Sequence, residues 1–202
     1  MIEKFINKII NLIKNEDYKN VLIEIENHSD NKNPFLLYYL AFTKDKLNQK
    51  EESLEILNKL IKNNPNFTEA QHLYSNINED LKNYDISKNI LESLIKKNPN
   101  DFKANYNLGR LYQLHLKNKK VALKYYQKAL ENNQNNYIIL NAIGNLQKDL
   151  NYYEDSLKTF TNIVKKFPEN YKVFVQLARM QLSTGLIDMA EESIKRAMIL
   201  NK

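Results

Sequence analysis

The residues best equipped for recognition chemistry are the scarce arginines. Only three occur in 202 residues, and two of them repeat a spacing: Lys103 stands seven residues before Arg110, and Lys172 seven before Arg179. Seven residues are two turns of helix, so on helices each pair shares a face. A guanidinium so placed presents a planar fork to a carboxylate or a phosphate. Amide side chains accompany them at Asn76, Asn107, Asn141, Asn145 and Gln176. Each amide offers a donor and an acceptor, the pair that an extended peptide backbone has to satisfy.

Catalytic chemistry lacks its parts. The absence of cysteine removes disulfides, thiolate metal sites and cysteine nucleophiles together. His28, His72 and His115 have no metal-ligand spacing, so no metal site is expected. Three glycines leave no material for a phosphate-cradling loop, and no nucleophile elbow occurs. The acidic pairs Glu51-Glu52 and Glu79-Asp80 read as solvated helix ends. The chain is therefore expected to be no enzyme and to need no cofactor.

Lys and Arg number 30 against 24 Asp and Glu, a net charge of +6. The lysines are spread along the whole chain without aromatic interleaving on one face, which argues against nucleic acid and fits a solubilising surface with a mild preference for acidic partners. Apolar runs of a few residues are far shorter than the roughly 20 needed to span a bilayer. With no apolar leader at the N-terminus, a soluble cytoplasmic protein without a membrane partner is expected.

The elements that position these side chains come from an internal repeat. The punctuation KNNPN at 62–66 returns as KKNPN at 96–100, ENNQN at 131–135 and KKFPE at 165–169. Pro65 and Pro99 are 34 residues apart, and Pro99 and Pro168 are 69 apart, with Gln134 in the place of the missing proline and one residue inserted in the turn at 117–120. Each proline follows an apolar-periodic run and stops it as a helix. Between stops lie two helical runs.

Aligned on that proline, Leu40, Tyr74, Leu108, Ile143 and Leu177 form a large apolar column, followed directly by Ala41, Ser75, Gly109, Gly144 and Ala178. The second run has its own small column, Ser53, Ser87, Ala122, Ser156 and Ala190, and four residues later Leu57, Leu91, Tyr126, Phe160 and Ile194. Two helices can cross closely only if neither carries bulk at the crossing, which is why small residues recur there.

These columns resemble the tetratricopeptide repeat, most closely in Asn105-Tyr106-Asn107-Leu108-Gly109-Arg110-Leu111-Tyr112 and Ala122-Leu123-Lys124-Tyr125-Tyr126-Gln127-Lys128-Ala129-Leu130. The resemblance implies an all-α, right-handed α-solenoid of about five helix pairs, at 34–67, 68–101, 102–136 (with the one-residue insertion), 137–170 and 171–202, preceded by a degenerate capping helix pair at 1–33. In this family the second, fifth, sixth and ninth positions of each first helix look into a peptide-binding groove. The ninth reads Phe42, Asn76, Arg110, Asn145 and Arg179; the second includes Lys103 and Lys172, the fifth His72, Tyr106 and Asn141, the sixth Asn107 and Gln176.

Asn76, Asn107 and Asn145 resemble in part the asparagine ladder of O-linked glycosyltransferase repeats. The two-carboxylate clamp of chaperone-binding repeats is not matched, because Ile138 and Ala142 stand where its last Lys and Arg belong. Phe35, Tyr38, Tyr39 and Phe42 make an aromatic surface on the first pair, whereas Tyr125, Tyr126, Tyr152 and Tyr153 read as contacts between helices.

The N-terminal stripe Ile2, Phe5, Ile6, Ile9, Ile10 and Ile13 reads as a cap rather than a membrane-surface helix. The last run, 187–200, ends Ala197-Met198-Ile199-Leu200 with no polar helix after it, so either a further domain or a second copy should cover it or the last unit frays. The expected function is a scaffold that binds an extended polar or acidic segment of another protein, with self-association through the C-terminal helix as a further possibility. The alternative is a substrate-presenting repeat region of a larger transferase.

Overall fold

A computed structural model describes residues 2–131 and 135–201. Gln134, the residue in the missing proline's place, lies outside the described residues. Among the described residues there are twelve α-helices and no strand. The chain divides into two compact units, Met1–Leu91 and Glu92–Lys202.

The first unit contains α1 (Ile2–Lys14), α2 (Tyr18–Glu26), α3 (Pro34–Lys46), α4 (Lys50–Asn63), α5 (Thr68–Asp80) and most of α6 (Tyr84–Lys97). The second contains the end of α6 with α7 (Phe102–Leu114), α8 (Lys119–Glu131), α9 (Tyr137–Asp149), α10 (Tyr153–Lys166), α11 (Tyr171–Ser183) and α12 (Ile187–Leu200). The odd-numbered helices are the first members of pairs and the even-numbered ones the second.

The two kinds of helix start differently. Most first helices are capped by a side chain: Asn33 before α3, Asp101 before α7, Asn136 before α9 and Asn170 before α11 each accept from a backbone N–H of the first turn. At α5, Phe67 holds that place without a side-chain bond. Among the second helices, Asp17 caps α2 and Asn118 caps α8, whereas α4, α10 and α12 lack a side-chain bond; all six are entered through a tight turn with one residue in the left-handed region. Those residues are Glu16, Asn48, Lys82, Lys117, Asn151 and Gly185, with φ between 52° and 78°. Their turns return the freed N–H groups to the end of the preceding helix, as when Gln49 N donates to Lys44 O at 2.8 Å and Leu186 N to Gln181 O at 2.8 Å. Three residues join the helices of every pair except α7–α8, where there are four.

The small columns lie at the crossings within pairs. Ser53 Oγ donates to Ala41 O at 2.6 Å, Ser75 and Ser87 share a hydroxyl contact of 2.8 Å, and Ser156 Oγ donates to Gly144 O at 2.8 Å. Each serine thus serves as a small residue whose hydroxyl is satisfied by the backbone or hydroxyl it approaches.

In the first unit, Ile9, Val21, Ile25 and Leu36 form a core against which Ile2, Phe5, Ile6 and Ile13 pack, so the α1 stripe faces protein. A second core joins α3, α4 and α5 through Ala41, Leu57, Leu60, Ala70 and Ile77. In the second unit, Leu123, Tyr126, Ile139 and Ile143 join α8 to α9, and Leu140, Phe160, Ile163, Val173 and Leu177 join α9, α10 and α11. Among the described residues, no helix is long and apolar enough to cross a membrane.

Two expectations need correction. Tyr152 and Tyr153 do not pack between helices; both are about 40% exposed, at the mouth of the α9–α10 turn. Glu79 is not a solvated helix end but is buried, because it lies on the α5 face that also buries Ser75 and Asn78.

Candidate recognition surface

The second unit carries most of the residues in question, and its local structure explains their placement. On α7, Lys103 is exposed while Asn107 and Arg110 are partly buried. On α11, Lys172 and Arg179 are exposed and Gln176 is partly buried. Both triplets run i, i+4, i+7, so each forms a cation–amide–cation line along its helix. The core residues Leu108 and Leu111 on α7, and Val173, Leu177 and Met180 on α11, each follow a member of that line by one residue, about 100° round the helix, so the line runs along the edge of the buried side. Apolar periodicity therefore orients the polar line.

Between them in sequence, α9 has Ile138, which is 62% exposed, in the place of the lysines, Ala142 in the place of the amides and Asn145 in the place of the arginines. Its amides Asn141 and Asn145 lie on one side, one turn apart, and Asn145 Nδ2 donates to Asn141 O at 2.9 Å. That bond, to the backbone carbonyl of Asn141, occupies one donor of the Asn145 amide. Tyr106, placed with the groove residues by position, is partly buried, stacked on Phe102 at 6.4 Å and tilted against Tyr126 at 5.8 Å.

In the first unit, Asn76 is partly buried and His72 is buried at 8% exposure. His72 is therefore part of the α5 interior and presents little surface to a ligand.

Some amides do structural work that sequence position alone does not disclose. Gln71 Nε2 donates to Pro65 O at 2.7 Å, and Asn105 Nδ2 donates to Pro99 O at 3.0 Å and to Asp101 O at 2.8 Å. Each amide lies six residues beyond a repeat proline and ties that proline's carbonyl to the next helix.

The first unit presents a second surface of different chemistry. Phe35, 53% exposed, meets Phe67 edge-on at 5.3 Å; Tyr38 lies 5.6 Å from Phe67 and 5.3 Å from Tyr39. Phe67 was not singled out by sequence, because it sits in a connection rather than in a repeating column. Phe35 and Phe67, with Pro34 and Pro65, border a cavity of about 440 Å³. Burial, then Tyr39 and Glu69, raise the Tyr38 hydroxyl above its ordinary value of 10.0; burial and Glu69 do the same for Tyr39. Both phenols stay neutral donors at physiological pH.

Ion pairs also recur. Lys50, at the start of α4, bridges Asp80 at the end of α5 (2.5 Å) and Asp45 (3.5 Å), and Lys119, at the start of α8, bridges Asp149 at the end of α9 (2.9 Å). The two clips span the same thirty residues of sequence, a Lys-to-Asp spacing that a search for paired charges at repeat distance would have found.

A cavity of about 370 Å³ opens between α11 and α12, lined mostly by apolar groups, among them Val175, Leu182, Ile194 and Met198, with Arg179 at its edge. Among the described residues, no group of three or more His, Cys, Asp or Glu is arranged to hold a metal ion.

Comparison with known proteins follows the same lines. Tetratricopeptide repeat models match residues 36–66 and 79–137. No curated protein sequence matches the chain. Among solved structures, MamA 41-end from Desulfovibrio magneticus RS-1 is 20% identical, with a TM-score of 0.71 over 83% of this chain and 94% of that one. A MamA RS-1 double mutant gives a TM-score of 0.73 at 20% identity over 83% of this chain and 94% of that one. YrrB, described as a tetratricopeptide repeat protein with an unusual peptide-binding site, gives 0.69 at 18% identity over 89% of this chain and 91% of that one. At these identities the likeness is one of fold.

Proposed function

We propose that this chain, which belongs to the tetratricopeptide repeat family, is a non-catalytic cytoplasmic scaffold that holds an extended polar or acidic segment of another protein on the first helices of its repeats. The observation that carries the reading is the line Lys103, Asn107, Arg110 on α7 and its counterpart Lys172, Gln176, Arg179 on α11. An acidic side chain fits the cations, and the amides suit the backbone between. A peptide-binding site in YrrB, a protein of the same fold, is in keeping with this use of the repeat.

In this reading the buried His72 contributes shape rather than contacts, and Tyr106, partly buried, offers the segment what remains open of its ring. Asn141 and Asn145, on α9 between α7 and α11 in sequence, supply further polar contacts. Long-range attraction by the net positive charge speeds encounter with acidic segments and weakens with salt.

The test is affinity capture from a lysate with three baits, each checked for folding by circular dichroism: wild type, Arg110→Glu, and Lys103→Glu with Arg110→Glu. Arg179 is kept out of the first comparison because it also borders the α11–α12 cavity. A protein held by the wild type and lost from both variants supports the reading and supplies a peptide for titration. An identical set of proteins on all three baits overturns it. Should the captured protein be modified rather than merely held by a longer form of this chain, the substrate-presenting role in a transferase replaces the scaffold role.

A further inference from the structure

The face of α12 that borders the cavity is apolar and open. Ile187, Ile194 and Met198 are 60, 43 and 68% exposed and follow one another at i, i+7 and i+11. Thirty-four residues earlier, the positions of Ile194 and Met198 are Phe160 and Val164 of α10. There Phe160 is fully buried, and both belong to the core completed by Val173, Leu177 and Met180 of the following helix, α11. The last pair thus displays the kind of surface that the preceding pair keeps covered.

The position between Ile187 and Ile194 on this face is Glu191; α6 also carries a charge there, Lys88, whereas α4, α8 and α10 carry Leu54, Leu123 and Leu157, each packed into a core that includes the next first helix. A carboxylate there is ill suited to an apolar helix of the kind that meets those three leucines. It calls for an occupant that brings a cation to Glu191 and, one turn further on, a carboxylate to Lys195.

The same helix, reversed, has that pattern. Asp188, Glu191 and Glu192 occupy the first half of α12, and Lys195 and Arg196 the second. None of the five makes an ion pair to another described residue. We propose that the α11–α12 face binds a second copy of this chain, the two α12 helices packing antiparallel about a two-fold axis. In that register Ile187 meets Met198 of the partner subunit, and Glu191 sits beside the partner subunit's Lys195, twice by symmetry. A parallel arrangement would set acid against acid and base against base. The seam is short, about 20 Å of helix, so the expected association is weak and reversible.

The proposal shares Arg179 with the peptide-binding reading but is tested separately, because that reading's variants at Lys103 and Arg110 lie on another helix. Sedimentation equilibrium of the full chain, from about 1 µM to about 500 µM, is expected to show mass rising from monomer toward dimer. Met198→Glu, at an exposed position, should remain folded by circular dichroism and stay monomeric. Glu191→Lys or Lys195→Glu alone should weaken dimerisation about tenfold or more, and the double exchange should restore it to near the wild-type value. Monomer at every concentration overturns the proposal, and the face then serves another occupant, such as a further helix of a longer chain. A dimer indifferent to Met198→Glu, or charge exchanges that fail to rescue each other, overturns it equally.

Discussion

Gly144 of α9 lies directly beneath the ring of Phe160 of α10: a Cβ on Gly144 would come within 2.8 Å of Phe160 Cζ. The same relation holds between Gly109 and Tyr126, at 3.0 Å. Where the first helix carries Ala41 or Ser75 instead, the second carries Leu57 or Leu91. Backbone bulk and ring size are thus exchanged within each crossing. Gly144→Ala should destabilise the second unit by about 1–3 kcal/mol through overpacking. Adding Phe160→Leu should make the alanine far better tolerated than it is beneath the ring. Urea unfolding of the four variants checks this as a double-mutant cycle, and simple additivity of the two changes would contradict it.

The left-handed turn residues make a second prediction. Lys82 adopts φ 64° without a glycine's freedom, and Lys117 does so at 52°. Lys82→Gly should stabilise the first unit by up to about 1 kcal/mol, because a side chain in the left-handed region costs about that much. Gly185→Ala should lose a similar amount although nothing lies within 4 Å of the added methyl. Thermal melts resolve both shifts.

Asn105 is 1% exposed and donates to two carbonyls, Pro99 O and Asp101 O. Asn105→Ala should cost about 1–3 kcal/mol, since it removes both bonds and leaves the Pro99 carbonyl to find water. Asn107→Ala, two residues on at a partly buried position, should cost less; denaturant midpoints compare the two directly.

Lys50 gives a pH dependence whose sign is determined. Partial burial works against its charge, but the hydrogen bond to Asp80 and the nearby carboxylates of Asp45 and Asp80 outweigh it, so its pKa is raised above 10.5. A raised lysine value means stability that is fully present below about 10.5 and lost as pH climbs through the folded value. Lys50→Met should therefore be less stable than wild type by no more than about 1 kcal/mol near neutrality, and the gap should close in strongly alkaline buffer. A gap that stays constant into the alkaline range would remove the ion pair from the explanation.

Much of the architecture was legible before any coordinates. Proline punctuation and the two small columns locate the helix pairs, because packing two helices closely imposes the same demand at every crossing. The left-handed column was not legible: Glu16, Asn48, Lys82, Lys117, Asn151 and Gly185 share a backbone angle and no side-chain type. The amide of Asn105 is a buried tie that the sequence does not disclose, since its partner is a backbone carbonyl that no side-chain pattern marks. Within the candidate surface, the Lys–amide–Arg lines were readable from spacing, whereas the burial of His72 and the partial burial of Tyr106 depended on neighbours from other helices.

By itself, then, the sequence determined which segments are helices, how they pair, and which sides of α7 and α11 carry cations, because these follow from local periodicity and from steric demands repeated every 34 or 35 residues. Only the tertiary structure decided which polar groups are left for a partner. Burial is a property of what packs against a residue: Glu79 and His72 are enclosed, Tyr152 and Tyr153 are open, and the face of α12 around Glu191 stands uncovered.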